Sequence, residues 1–322
     1  MRATVVGAGV AGLTTALTLA KRGAQVTLLE RSQVLGGNAS WLAGGMLAPF
    51  CEGESAPQSV VELGQGAIDW WDARVLGVTR EGTLVVAPPR DTSEIDRFAA
   101  RTKSHAPVDE ARIAELEPDL AGRFRKGLFF ADEGHLDPRV ALSALIERLR
   151  ANGGEIRFGV DGEAHGEADV VIDCRGWAAR KALPELRGVR GEMMRIRSCE
   201  VTLTRAVRFL HPRIPLYIVP RANNEFMIGA TMIESAEKSA VSVRSAIELL
   251  SAAYALHPAF GEAEILEISA DVRPAYPDNE PRIEPRGGRI FVNGFYRHGF
   301  LLAPAFAQRA AMLAFEWAGA LV

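Results

Sequence analysis

Cysteine is scarce in this chain. The three cysteines among 322 residues (Cys51, Cys174, Cys199) are scattered and form no C-x-x-C pair. That excludes a disulfide framework and offers no zinc-ligand spacing; reduced thiols of this kind suit a cytoplasmic protein. Strong charge is lacking too, and a net charge of -3 gives no field to steer nucleic acid or anionic membranes. Neither end carries a clean apolar run. Residues 1–20 are apolar after Arg2, but glycines interrupt them at regular spacing and no polar cleavage region follows, which argues against a signal peptide. Residues 300–322 are broken by Gln308, Arg309 and Glu316, the pattern of a mostly buried amphipathic helix and not of a membrane span. G-x-S-x-G, H-E-x-x-H and histidines paired at ligand spacing are all missing, so neither a hydrolase dyad nor a metal site is expected.

What is present begins at the N-terminus. Val5 and Val6 end a buried strand, Gly7, Gly9 and Gly12 follow on the G-x-G-x-x-G spacing, and a helical pattern runs from Val10 to about Arg22. Each glycine has a mechanical reason: Gly7 for the tight turn, Gly9 for close approach of backbone to a pyrophosphate, Gly12 for packing of helix on strand. The N–H groups of the helix N-terminus, around Val10 and Ala11, bring partial positive charge to the phosphates. A second strand, Gln25–Leu29, ends in Glu30, whose carboxylate can accept both hydroxyls of an adenosine ribose. A strand, a helix and an acid in that order point to a dinucleotide site.

After Glu30 a long stretch of small residues runs through Arg31, Gly36, Gly37 and Ser40 to Gly44, Gly45, Met46 and Leu47, a composition that lets backbone lie against a flat ligand. An amphipathic helix is expected over 58–74, a strand over 82–87 leading into a second lobe, and solvated helices over 93–104 and 109–117. Asp137-Pro138 opens a helix to about Ala151 as N-cap and first helical residue. Strands at Glu155–Val160 and Ala168–Asp173 read as a return to the nucleotide lobe, where Gly176 lets backbone approach the ligand again. From Arg190 to Pro277 the pattern is β-rich, interrupted by one helix at 241–256, and Ile265–Pro274 is a long strand carrying Asp271 and Arg273. No repeat or low-complexity linker separates the lobes, so they interleave. With apolar residues at 48% the chain has ample core for both.

Taken together, these motifs resemble the flavin amino-acid oxidases, the superfamily of D-amino-acid oxidase, sarcosine oxidase and glycine oxidase. Two segments, Ser40–Pro49 and Gly294–Pro304, are most similar to the glycine oxidases of thiamine biosynthesis. The resemblance implies an α/β fold, in which a Rossmann-like FAD-binding domain of the glutathione-reductase type (1–80, 135–185 and 285–322) interleaves with an antiparallel β-sheet substrate domain (81–134 and 186–284). It implies non-covalent FAD: covalent relatives attach flavin through cysteine or histidine, the usual cysteine lies near the C-terminal flavin segment, and residues 285–322 contain no cysteine and only one histidine, His298. It implies hydride transfer from the Cα of glycine, sarcosine or a small D-amino acid to flavin N5, with O2 reduced to H2O2; a D-amino-acid or N-methyl amino-acid oxidase or dehydrogenase with another electron acceptor is the alternative. Val272-Arg273-Pro274-Ala275-Tyr276-Pro277-Asp278 matches the family's R-P-x-x-P-D segment, which makes Arg273 the grip on the substrate carboxylate, with Tyr217 as its assistant. Arg282 is the rival and reads as exposed. Arg297 is assigned to flavin support or to an ion pair, and His298 to substrate orientation or O2 activation or, equally, to a hydrogen-bonding bystander. The resemblance places Val160, Gly176 and the backbone of Gly299, Phe300, Leu301 and Leu302 at the flavin. Partners expected are a small amino acid and O2, with no nucleic acid or membrane, and a homo-oligomer is allowed. Cys51 is expected to be an inert packed thiol.

Overall fold

A computed structural model describes residues 1–162, 168–211 and 215–319. Strand β1 (Arg2–Val6) lies at the middle of a six-stranded sheet. Helix α1 (Val10–Lys21) follows it and returns the chain to β2 (Gln25–Glu30), which pairs in parallel with β1 from Arg2 opposite Gln25 to Val6 opposite Leu29. On the other side of β1 lies Val170–Asp173, also parallel. The strand order therefore reverses at β1, and the crevice beyond its carboxyl end is where such sheets bind ligands. Glu155–Phe158 extends the sheet past β2, and the hairpin of Arg282–Arg286 and Arg289–Asn293 closes the other edge.

The helices that cover this sheet are apolar because they are buried among one another. Leu13, Leu17, Leu142, Leu145, Leu302 and Ala310 belong to one core with Val5, Leu28 and Ile172 of the strands. Asp137 caps its helix (Pro138–Ala151) as expected, its side chain accepting from the Arg139 N–H at 2.8 Å. The C-terminal helix is described over Gly299–Gly319; the last three residues of the expected 300–322 lie outside the described residues.

The second sheet has nine strands. Its centre is Arg187–Arg197, which pairs antiparallel with Glu225–Gly229, Ile233–Glu234 and the long strand Glu264–Ala275. Leu216–Pro220 follows, then Ala206–Phe209, Thr83–Val86, Lys126–Phe130 and Ala106–Asp109. One pair, Ala206–Phe209 with Thr83–Val86, is parallel, because the chain enters this sheet twice from the other lobe. Apart from that pair the sheet is antiparallel, as expected. Helix Val243–Leu256 lays Leu249, Ala252, Ala253 and Leu256 on one face of it. Among the described residues no helix is long and apolar enough to cross a membrane.

Three local expectations need correction. The helix expected over 58–74 is two helices, Gln58–Gly64 and Ala67–Asp72, broken at Gly64-Gln65-Gly66, where the two glycines weaken the helical preference. The small-residue stretch, expected only as backbone lying against a flat ligand, also carries regular structure at its end: Met46–Leu47 pairs with Gly134–His135, and Pro49–Glu52 makes a helical turn. Strands Lys126–Phe130, Ala206–Phe209 and Arg282–Arg286 have too few alternating apolar residues to announce themselves.

Candidate active site

A cavity of about 970 Å³ opens along the carboxyl end of β1 and continues between the two sheets. Its nucleotide end is built from backbone. Gly7 has φ +103°, and its N–H donates to the Leu29 carbonyl at 2.8 Å, so the turn folds back on β2. A Cβ on Gly12 would stand 1.8 Å from the Gly7 carbonyl oxygen, and one on Gly7 would stand 2.8 Å from that of Cys174. Gly12 therefore serves helix–strand packing and does not line the cavity, whereas Gly7, Gly9, Val10 and Ala11 do. Glu30 sits at the end of β2, its Oε2 accepting from the Ala8 N–H at 2.8 Å and its Oε1 from the Ser32 N–H at 2.9 Å. The Val10 N–H donates to the Ser40 hydroxyl at 3.0 Å, so Ser40 ties the following loop to the helix start.

The middle of the cavity is lined by Arg31, Gly44, Gly45, Met46 and Gly176. Leu47 faces away and is fully buried in the core. Val160 does not reach the cavity; its N–H donates to the Glu30 carbonyl at 3.0 Å, and its neighbours Asp161 and Gly162 form the wall instead. Gly299, Phe300 and Leu301 line it at the start of the C-terminal helix, and their N–H groups have no acceptor among the described residues. Leu302 is not part of that set, because its N–H already donates to the His298 carbonyl at 2.9 Å.

The far end is made of side chains from separate strands. Arg273 lines the cavity from Glu264–Ala275 and donates to the Thr231 carbonyl at 3.1 Å; it has no carboxylate partner among the described residues. Its guanidinium lies in a slot left by Gly191, where a Cβ would come within 2.3 Å of it. Tyr217 fills a similar slot between Gly44 and Gly229, where a Cβ on either would stand 2.5 Å away. Burial raises the Tyr217 phenol above its ordinary value, against the pull of Arg273, so it remains a donor. No direct bond joins Tyr217 to Arg273, but both face the same space. Arg282 is elsewhere, paired with Asp278 at 2.7 Å on the surface.

Arg297 and His298 converge on a residue the sequence reading overlooked. Glu52, at the end of the short helix Pro49–Glu52, pairs with Arg297 Nη2 at 2.8 Å, Arg208 Nη2 at 2.7 Å and His298 Nδ1 at 3.3 Å. Burial would raise the Glu52 carboxyl, but Arg297, Arg208 and His298 outweigh it and hold the group well below the usual carboxylate range. Burial, helped by Arg297, Arg208 and Arg273 and opposed by Glu52, brings His298 down to about 4, so it is neutral at physiological pH. Arg208 sits in an apolar strand as Ala206-Val207-Arg208-Phe209, and a lone arginine there was the available signal. Arg221 was also missed; buried, it donates to the Gly44 carbonyl at 2.5 Å and pins the loop under Tyr217. Cys51 is fully buried and its thiol is pushed well up by burial, as an inert packed residue should be.

A glycine turn feeding a helix N-terminus, an acid at the next strand end and a second sheet closing over the crevice define a dinucleotide-binding protein with a second lobe over its site. Residues 2–313 match the DAO family of FAD dependent oxidoreductases, and the chain belongs to that family. A Rhizobium etli protein assigned to thiamine biosynthesis as the oxidoreductase ThiO is 57% identical over 312 residues, spanning 97% of this chain and 95% of its own. The glycine oxidase of Pseudomonas aeruginosa is 28% identical over 350 residues, spanning 97% and 94%. The crystal structure of glycine oxidase from Geobacillus kaustophilus shares the fold, with a TM-score of 0.83 over 98% of this chain and 95% of that one at 23% identity. The residues present fit FAD: the open N–H groups at Gly299–Leu301, the Gly7–Ala11 turn and Glu30 lie along one cavity.

Proposed function

We propose that this protein oxidises glycine, with sarcosine and small D-amino acids as further substrates, using non-covalently held FAD and O2, and that it serves thiamine thiazole biosynthesis in the cytoplasm. The observation that carries the reading is Arg273, a guanidinium lining the cavity with no carboxylate partner among the described residues. Its planar fork matches a substrate carboxylate with two parallel hydrogen bonds. Tyr217 presents a phenol to the same space and, being neutral, donates. FAD held along this cavity would supply the hydride acceptor for the substrate Cα and the route for the two electrons to O2.

The chain's own residues then bind, orient and exclude water. Arg273 fixes the carboxylate and so the direction of Cα. The neutral His298 places no charge beside a neutral amine, and no side chain is required as a general base. The N–H groups of Gly299, Phe300 and Leu301 aim the positive end of a 21-residue helix at the place where negative charge develops. The flavin side is assigned to 1–80, 135–185 and 285–322, and the substrate side to 81–134 and 186–284. The thiamine role rests on the 57% identity to the Rhizobium etli protein.

The test is anaerobic mixing of the purified yellow protein with glycine, sarcosine, D-alanine and D-proline, followed by an H2O2 assay in air. Bleaching by glycine with H2O2 release is expected. A flavin that dithionite bleaches but none of these amines reduces would overturn the reading. Acid precipitation should release the yellow colour into the supernatant, and colour retained in the pellet would refute non-covalent binding.

A further inference from the structure

Arg208, Arg273 and Arg297 line the substrate end of the cavity, and two of them are engaged by one carboxylate. Glu52 Oε1 takes Arg208 and Oε2 takes Arg297, with side chains between 13% and 23% exposed. Further contacts lock both arginines in that arrangement. Arg208 Nη1 donates to the Cys51 carbonyl at 3.0 Å, and Arg297 Nη2 to the Ser55 hydroxyl at 2.7 Å. Arg273 and Glu52 share this space, since both fields act on the Tyr217 phenol and on the His298 imidazole.

We propose that Glu52 is a specificity-determining residue that restricts this cavity to ligands with a single carboxylate, by occupying Arg208 and Arg297 and leaving Arg273 as the docking cation. The inference rests on the amino-acid reading above and narrows its substrate class. A second carboxylate on a ligand would meet guanidiniums whose charge Glu52 already offsets, and beside them the negative charge of Glu52 itself. Both terms disfavour it, and in a partly desolvated site like-charge juxtaposition is costly. Remove the Glu52 charge and two guanidinium forks line the cavity without their ion-pair partner. They become a site for the second carboxylate of a dicarboxylate or of an N-carboxymethyl amino acid such as iminodiacetate. Glu52 takes no part in the hydride transfer, so its effect is on which ligand docks.

The experiment compares the flavin-loaded parent and Glu52→Gln proteins by calorimetric titration with acetate and with succinate, and by the ratio of kcat/KM for iminodiacetate to that for glycine. In the parent, succinate should bind no tighter than acetate. In Glu52→Gln the succinate-to-acetate affinity ratio and the iminodiacetate-to-glycine ratio should each rise at least about tenfold, the lower range for a close charge pair. A purely structural Glu52 would weaken all ligands together and leave both ratios fixed, which would overturn the proposal. Glu52→Asp keeps the charge but draws it back by one methylene, so its ratios should shift in the same direction by less. If neither variant can be obtained with flavin bound, Glu52 is a folding residue and the proposal fails. A parent protein that binds no acetate at all would instead sink the amino-acid reading, which calorimetry detects without any turnover.

Discussion

The two ends of the cavity are built by opposite means. At the nucleotide end the contacts come from backbone: N–H groups, a carbonyl-lined turn and three glycines within six residues of each other, with Glu30 the main side chain. At the substrate end they come from side chains, namely Arg273, Tyr217, Glu52, Arg208, Arg297 and His298, delivered by separate strands and helices. A backbone site is local in sequence and intolerant of added atoms. A side-chain site is dispersed in sequence and sensitive to charge. Substitutions at the first should fail by steric exclusion, and at the second by electrostatics with the fold intact.

The largest effect is expected at Gly12. Its Cβ would stand 1.8 Å from a backbone oxygen that has nowhere to move, so Gly12→Ala should separate α1 from β1. The variant should melt far below the parent and be recovered without flavin. Gly9 sharpens the contrast, because its Cβ would meet only the Ser40 hydroxyl, at 3.3 Å. Gly9→Ala should fold and yet bind FAD poorly. Near-parental melting and flavin content in Gly12→Ala would break the steric half of the comparison.

Next in size is Arg273→Ala, which tests the electrostatic half. Truncating one partner of a buried charge pair costs roughly 2–5 kcal/mol, so kcat/KM for glycine should fall about 30- to several-thousand-fold. The flavin spectrum should hardly change. Arg273→Lys keeps the charge but loses the fork, and should also be impaired. Anaerobic reduction with unchanged rate and half-saturation would return the carboxylate to another cation.

These two tests also show what was legible in the sequence. Gly7, Gly9, Gly12 and Glu30 lie within two dozen residues, and their spacing alone gave the strand, the turn, the helix and the acid in the right places. Gly12 was placed correctly for its packing role. The fold class, an α/β fold with a parallel nucleotide sheet, followed from the family resemblance that those motifs carry. The substrate end was not legible in that way. Arg273 and Tyr217 were singled out by family resemblance, since nothing in the spacing of 217 and 273 says they share a cavity; only strand pairing through Arg187–Arg197 brings them together. Glu52 was invisible for the same reason: its partners Arg208 and Arg297 are more than 150 residues away in the chain. The expected positions left outside the cavity, Gly12, Leu47, Val160 and Leu302, each adjoin a residue that lines it, a one-residue difference that pattern cannot resolve.

Glu30 lies between the extremes, as a charge serving the backbone-built end. Its carboxylate holds the Ala8 and Ser32 N–H groups and, with FAD bound, would take the ribose hydroxyls as well. Each charge-assisted bond contributes roughly 1.5–3 kcal/mol, so Glu30→Ala should lose roughly 3 kcal/mol of FAD affinity, about a hundredfold. Titration of the apoprotein with FAD measures it. Unchanged affinity would show that the carboxylate serves only the turn.

The smallest effect concerns stability and lies behind the substrate end. Glu133 is fully buried, its Oε1 accepting from the Cys51 N–H at 2.7 Å. Burial pushes its carboxyl up to about 7, against the N–H of Cys51 and the charge of Arg208. The sign follows from proton linkage. Between the ordinary carboxyl value of 4.5 and about 7, the folded protein holds a proton on Glu133 that the unfolded chain has released. Folding therefore takes up a proton in that window, and stability falls as pH rises through it, levelling off above. The full loss is on the order of 3 kcal/mol. Glu133→Gln keeps an oxygen to accept from Cys51 and cannot ionise, so it should remove this component. The parent and variant should have similar melting temperatures near pH 5 and diverge above pH 7, with the variant the more stable. The nucleotide-end variant Glu30→Gln should leave that divergence untouched. Melting curves that run parallel from pH 5 to pH 8 for parent and Glu133→Gln would mean that water or Arg208 solvates the carboxylate well enough to erase the burial penalty.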